Sequence, residues 1–499
     1  MPITEIDQLE TVESVEVLGQ RAVRGSTLLL ARKFVLRGIS YIVSILLARL
    51  LAPEIFGLFA IINFIITFFQ YFSDIGFGAS LIQKKKISKK ELDTVFTLQQ
   101  LIVVSLIIIA WFTAPLIVNY HPKLDPSSIW LIRIMSLSLL FTSLKTIPQI
   151  RLERQLKFDR LIIPEVVEVL SFQAIALGLA WSGYGVWSFV IALVIRSFLG
   201  LATLYLLAPY RPRLSWHRPT LKHLIGFGLP YQSNYFLALI KDSLTPVFIG
   251  LVSGSYAVGL LNWAFSVSKL PIEFISDIFR VTFPSFARIQ GNKVLIKKAV
   301  EKTIYFSNLI IFPLVTLLIV FAQPLVDLIY TSKWQPALPA FYVHAIAIFF
   351  VGINNVVTNS LWSLGKVKSG MKIMAINTIL NWAISVPLVL KMGFIGVMYG
   401  SLAVMIVGSL VARYEMNRLV KLNLLDQSLK PLIAALLAGF TGFLLQQFFS
   451  LNLFTFILFG FLSAIVYCLM ILIIDRKKVF AEANWILQKL NLNFRFPHV

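Results

Sequence analysis

Residues 84–118 read KKKISKKELDTVFTLQQLIVVSLIIIAWFTAPLIV. Lysines fill most of the first seven positions, whereas residues 101–118 contain no ionisable side chain. An uncharged apolar run of that length covers most of a bilayer's hydrocarbon core. Beyond it only Lys123 precedes the next apolar run, and after that run come Arg151, Arg154, Lys157 and Arg160. Basic junctions alternate with junctions nearly free of Lys and Arg, as in a polytopic membrane protein, because short basic loops stay on the cytoplasmic side.

The rhythm continues outward from this stretch. Basic junctions recur at Arg211–Lys222, Arg288–Lys302, Lys366–Lys372, Arg418–Lys430 and Arg476–Lys478. The turns near Pro53, Gly183, Gly254 and Leu451 are almost without basic residues. Both termini are therefore expected in the cytoplasm. A mean hydropathy of +0.82 and 58% hydrophobic residues in 499 place most of the chain in lipid. The net charge of +22 sits mainly in the loops, so it does not indicate nucleic-acid binding. Cys468 is the single cysteine, which excludes an intramolecular disulfide and a cysteine metal cluster. Residues 1–20 are acidic and lack an apolar core, so no cleavable signal peptide is expected and the first span directs insertion.

Hydropathy places spans at about 28–50, 56–80, 94–118, 128–149, 161–182, 186–208, 224–250 and 257–284. Six more follow at about 303–322, 337–363, 370–390, 394–416, 430–449 and 452–474. The expected fold is thus all-α and integral to the membrane, with about fourteen transmembrane helices. ARLLAPEIFGLF at Ala48–Phe59 echoes GLVSGSYAVGLL at Gly250–Leu261, which aligns Gly57 with Gly259. Gly183–Val186 likewise echoes Gly393–Val397, and Lys89–Lys90 echoes Lys297–Lys298. Offsets near 200 residues predict two pseudo-symmetric six-helix lobes in parallel orientation around a central cavity.

This reading divides the chain into a cytoplasmic N-terminal segment (1–25), an N-lobe (26–208), a cytoplasmic linker (209–222) and a C-lobe (223–416). A C-terminal helix pair (417–475) and a cytoplasmic amphipathic tail (476–499) complete it.

Ionisable groups inside the spans are costly and mark candidate sites. Lys269, Glu273, Asp277 and Arg280 recur at helical spacing on one predicted face, either as an internally neutralised ladder or as a cavity wall. Arg37, Arg196 and Lys241 are the other deep cations, and Asp242 points away from Lys241. Arg133 and Lys145 read as interfacial anchors. Asp74, Glu165 and Glu168 are candidates for ion pairing or for proton or sodium coupling, as are Asp242, Glu273 and Asp277. Asn234, Asn355, Asn359 and Asn381 are candidate sugar contacts, although interhelical hydrogen bonds explain such amides equally well. His344, alone in its span, reads as a hydrogen-bonded core residue. No Walker sequence, no histidine metal spacing and no catalytic constellation occurs, so neither a cofactor nor an enzyme is expected.

The run Leu47–Lys85, LARLLAPEIFGLFAIINFIITFFQYFSDIGFGASLIQKK, closely resembles the first helical hairpin of bacterial polysaccharide transporters of the oligosaccharide-flippase (Wzx-like) type. Phe227–Gln290, from FGLPYQSNYF through RVTFPSFARIQ, resembles the equivalent part of their second half. They belong to the multidrug, oligosaccharidyl-lipid and polysaccharide exporter superfamily, and the likeness covers residues 25–475. It implies fourteen helices and alternating access, with translocation of a lipid-linked glycan across the bacterial inner membrane. The implied substrate class is an undecaprenyl-pyrophosphate oligosaccharide, whose anionic headgroup suits Arg37, Arg196, Lys241, Lys269 and Arg280. Membrane lipids are expected partners, with a polysaccharide polymerase and glycosyltransferases as further candidates. A multidrug exporter of the same fold is the alternative, and a membrane glycosyltransferase or polymerase a more distant one.

Overall fold

The computed structural model describes residues 35–73, 87–120, 124–155, 157–220, 245–273 and 288–489, together with Leu81, Ile275 and Phe286. Regular structure among them is helical, without a strand. Such a chain satisfies its backbone within each helix, as lipid requires. Helix α1 covers 35–50, and α2 (Pro53–Ser73), α3 (Lys89–Tyr120), α4 (Ser128–Arg154), α5 (Phe158–Trp181) and α6 (Trp187–Leu207) follow. Next come α7 (Thr245–Ser253), α8 (Ser255–Ser268), α9 (Lys293–Val320), α10 (Leu338–Ile348) and α11 (Val351–Ser363). The chain continues through α12 (Val367–Met392), α13 (Ile395–Asn417), α14 (Leu424–Phe448), α15 (Leu453–Ile474) and α16 (Arg476–Lys489).

Among the described residues ten helices are long and apolar enough to cross a membrane, or eleven if one bent pair is a single span. The protein is a multi-pass, all-helical membrane protein. The expected spans at 28–50, 56–80, 224–250 and 257–284 run partly outside the described residues.

Proline inside α3 (Pro115), α4 (Pro148), α5 (Pro164), α9 (Pro313), α12 (Pro387) and α14 (Pro431) does not end these helices. Packed neighbours in a membrane bundle hold such a helix together where water would compete for the freed carbonyl. Pro271 acts differently. Helix α8 stops at Ser268 and a turn at Lys269 precedes the next helical residues. Proline removes an N–H and disfavours the helical conformation just before it. The continuous helix expected over 257–284, and the single face assumed for Lys269 and Glu273, are therefore interrupted.

The span expected at 337–363 is bent by 46° between Ser332–Ile348 and Val351–Ser363. At the bend the Ser409 hydroxyl of α13 donates to the Phe350 carbonyl at 3.3 Å, giving it a partner outside its own helix. The helix expected from 303 begins at Lys293, because Asn292 caps it by accepting from Val294 N and Leu295 N at 3.0 and 3.1 Å. Hydropathy misses that polar first stretch, whereas the cap satisfies its free N–H groups.

By compactness the chain forms two units, Met1–Gly259 and Leu260–Val499. In the first, α4 packs on α3 and α6, and α5 pairs with α6. Its core includes Ile62, Ile66, Val103, Leu131, Ile132, Met135 and Val190. Helices α7 and the start of α8 group with this unit, and Gly57 of α2 shows why. A Cβ on Gly57 would overlap the Ser255 carbonyl oxygen and come within 2.7 Å of Gly259 N. A Cβ on Gly259 would in turn overlap the Pro53 carbonyl.

In the second unit α12 pairs with α13, and α14 packs against α9 and α15. The contact between α9 and α14 is bonded as well as packed. Asn308 donates to Ser428 Oγ at 2.9 Å and to Gln427 O at 3.4 Å, and Gln446 donates to Val320 O at 3.4 Å. From α15, Tyr467 donates to Leu309 O at 2.8 Å. Gly439 leaves room for Thr316, and Gly442 for Phe321 and Ser463, so the helices approach closely.

Candidate functional site

Charge inside the first unit gathers where α4, α5 and α6 meet. Lys145 of α4 makes an ion pair with Glu168 of α5, with side chains only 13% and 17% exposed. Lys145, expected as an interfacial anchor, is thus paired and largely buried. The carboxylate occupies a slot that a Cβ on Gly200 of α6 would fill. One turn before Gly200, Arg196 lies half-buried with its guanidinium 5.5 Å from the Phe172 ring centroid. Phe172 is one turn after Glu168 on α5. The three helices therefore set a neutralised pair beside a guanidinium that has no carboxylate partner among the described residues. Such an arrangement can accept a phosphate by charge and by forked hydrogen bonding.

Glu165 lies exposed on α5, and Arg37 is half-buried on α1. Arg133 instead rests over the rings of Trp111 and Trp130, at 5.6 and 5.2 Å, and donates to the Trp111 carbonyl.

In the second unit Lys269 is exposed, with its ammonium 4.7 Å from the Phe265 ring centroid, and Glu273 is half-buried. His344 is buried and shares a 2.6 Å hydrogen bond with Ser268, as a lone core histidine should. Asn355, Asn359 and Asn381 are each half-buried. Two neighbouring amides, Asn377, which shares a helix face with Asn381, and Asn354, are more enclosed. Asn354 and Asn377 are 5% and 9% exposed, and both heads approach within 2.5 Å of the point where a Gly408 Cβ would stand. Asp74, Asn234, Lys241, Asp242, Asp277 and Arg280 lie outside the described residues.

Sequence reading also missed the strap that follows α6. Tyr210 donates to Asp93 Oδ1 at 2.6 Å, Ser215 N donates to Thr97 Oγ1 at 3.0 Å, and Arg151 donates to Pro209 O at 3.2 Å. Burial first, and then the hydrogen bond to Asp93, push the Tyr210 phenol above its ordinary value. At the opposite end of α4, the hydroxyl of Ser127 and then its N–H hold the exposed Asp125 carboxyl below its usual range. Only pairing across 117 residues reveals Asp93 and Tyr210 as one unit.

These features define a polytopic helical protein with cationic groups inside its membrane spans. The fold is similar to a lipid II flippase MurJ in an inward closed conformation, at a TM-score of 0.77 and 19% identity over 91% of this chain and all of that one. It is also similar, at a TM-score of 0.58 and 14% identity over 76% of this chain and 94% of the other, to an inward-facing multidrug resistance MATE transporter. The model of the family described as polysaccharide biosynthesis protein matches residues 46–339, and the chain belongs to that family. Similar curated proteins include the teichuronic acid biosynthesis protein TuaB of Bacillus subtilis, 26% identical over 75% of this chain and 79% of its own. The lipopolysaccharide biosynthesis protein WzxC of Escherichia coli is 23% identical, over 80% of this chain and 81% of its own.

Proposed function

We propose that this protein is a flippase that moves a lipid-linked oligosaccharide, carried on undecaprenyl pyrophosphate, from the inner to the outer leaflet of a bacterial inner membrane. The observation that carries this reading is Arg196, set within α6 beside the neutralised Lys145–Glu168 pair. Family membership supports the pathway, and the cation supports an anionic headgroup. The sugars need water and amides, whereas the lipid tail remains in the bilayer throughout.

Two six-helix lobes, 26–208 and 223–416, alternate access to the cavity between them, and both termini lie in the cytoplasm. Arg37, Lys241, Lys269 and Arg280 complete the cationic set, while the acids Asp74, Glu165, Asp242, Glu273 and Asp277 pair with them or couple transport to protons or sodium. An inside-negative potential contributes about 2.3 kcal/mol per charge per 100 mV to outward movement of the anion. A polymerase and glycosyltransferases act on either side of this step. No covalent chemistry is assigned to the chain.

The test is export of lipid-linked glycan at matched membrane abundance. Arg196→Ala should lower headgroup affinity by about ten- to a hundredfold, as expected when one charge-assisted contact worth roughly 1.5–3 kcal/mol is removed. Arg196→Lys should recover part of the loss, because the charge returns without the fork. Normal export by the Ala variants of Arg37, Arg196 and Lys269 would overturn the cationic site.

A further inference from the structure

The strap after α6 holds large apolar side chains outward on a tethered backbone. Residues 209–217 have no regular secondary structure, yet Arg151 donates to the Pro209 carbonyl, Tyr210 to Asp93 and Ser215 N to Thr97 Oγ1. At the far end the His217 ring and the Thr220 hydroxyl share a 2.8 Å hydrogen bond. On either side of the tethered Ser215, Leu214 is 84% exposed and Trp216 57%. The bonds of the backbone set this exposure.

The depth of the strap follows from its partner on α3. Thr97 stands four residues before Leu101, where the apolar run of that helix begins, and at about 1.5 Å per helical residue the separation is about 6 Å. The headgroup layer outside the hydrocarbon core is about as thick, roughly 5–7 Å per leaflet. Leu214 and Trp216 therefore lie at headgroup level.

Charge completes the pattern. Arg211, Arg213 and Arg218 are exposed, Lys89 and Lys90 are exposed at the start of α3, and residues 209–220 contain no acid. The acids in the first turns of α3 are already engaged, Glu91 by Ser88 and Asp93 by Tyr210. Bulk water would leave both apolar side chains unsatisfied, whereas the boundary of an anionic leaflet meets the indole, the leucine and the arginines together.

We propose that residues 209–218 form a lipid-binding strap, which seats Leu214 and Trp216 among the headgroups and pairs Arg211, Arg213 and Arg218 with anionic phospholipids. Its partner is the phospholipid of the leaflet, not the transported glycan lipid. Depth and charge carry the proposal, so it holds for either orientation of the chain in the membrane.

A spin label on Leu214→Cys, in a Cys468→Ser background, reports the contact through its access to oxygen, which enters lipid, and to a nickel chelate, which does not. The full chain is placed in nanodiscs of phosphatidylcholine, or of phosphatidylcholine mixed with phosphatidylglycerol. Phosphatidylglycerol should cut nickel access several-fold and raise oxygen access, and added salt should reverse part of the change. Each basic side chain near an anionic leaflet strengthens its attraction about fivefold, so Arg211→Gln, Arg213→Gln and Arg218→Gln combined should abolish the response. Should the Leu214→Cys variant fail to fold, a label on Trp216→Cys reads the same layer. A label that stays aqueous in both nanodiscs overturns the proposal and assigns the surface to a soluble partner. Equal shielding in both overturns it as well, since the charge then recognises nothing. A response to undecaprenyl pyrophosphate in phosphatidylcholine without one to phosphatidylglycerol overturns the strap while supporting the transport reading; the reverse supports the strap and leaves that reading to its own test.

Discussion

Lys145 on α4 and Glu168 on α5 neutralise each other in a slot that exists because residue 200 of α6 is glycine. Three helices thus share one ion pair, and none of its members is near another in sequence. Replacing either partner alone leaves a charge in a poorly solvated place, which typically costs about 3–5 kcal/mol. Lys145→Ala and Glu168→Ala should each lower thermal stability of the purified protein steeply. The double variant Lys145→Met with Glu168→Leu should recover much of the loss.

Gly200→Ala tests the slot itself. Its methyl would overlap the Glu168 carboxylate, so the pair must shift or break. The expected cost is about 1–3 kcal/mol from overpacking, and it should shrink in a Glu168→Ala background. Equal costs in both backgrounds would show that the carboxylate does not need the space.

Tyr210→Phe should free the strap after α6. It removes the donor to the buried Asp93 and leaves that carboxylate short of a partner, at a cost of about 1–3 kcal/mol. Proteolysis between α6 and α7 should accelerate. The pH dependence has a definite sign. Because the folded state raises the Tyr210 value, its contribution is whole below the unfolded tyrosine value of about 10 and is lost as pH rises above it. The Phe variant should lack that alkaline loss in stability.

Glu415 gives an asymmetric prediction. Its side chain is 3% exposed and accepts from Lys372 at 2.7 Å and Ser369 at 2.9 Å, whereas the Lys372 side chain is 52% exposed. Glu415→Gln keeps much of the hydrogen bonding and releases a lysine that water can solvate. Lys372→Ala leaves a buried carboxylate with less compensation, so it should destabilise more in a thermal unfolding assay.

Topology is tested by single cysteines at Ser88, Lys368, Ser127 and Ser255. An impermeant maleimide should reach the first two only from the cytoplasmic side and the last two only from outside. Same-side labelling of Ser88 and Ser127 would remove α3 from the membrane.

Much of the fold was legible because a bilayer imposes one coarse rule, apolar length between charged turns. That rule locates α3 through α6 and α12 through α15 closely. It is blind to features that cost no hydrophobicity: the Asn292 cap that lengthens α9, the bend at Phe350 and the turn at Lys269 before Pro271. The site was legible only in part, for a related reason. Depth in a span marks Glu168 and Arg196 as unusual, but a single helix cannot say that Lys145 is the partner of one and Phe172 the ring beneath the other. Glycine is harder still, since Gly200, Gly408 and Gly439 matter for the space they leave.

The bonds from α9 to the last two spans set an order of events in synthesis. Asn308 reaches partners 119 and 120 residues later in the chain, and the Leu309 carbonyl accepts from a tyrosine 158 residues later. While the ribosome is still making that interval, α9 has no α14 or α15 to cover it. Nascent chains ending before Tyr467 should therefore be retained by the insertion machinery or degraded. The final helix pair, outside the repeat, is in this sense the step that releases the protein from its own assembly.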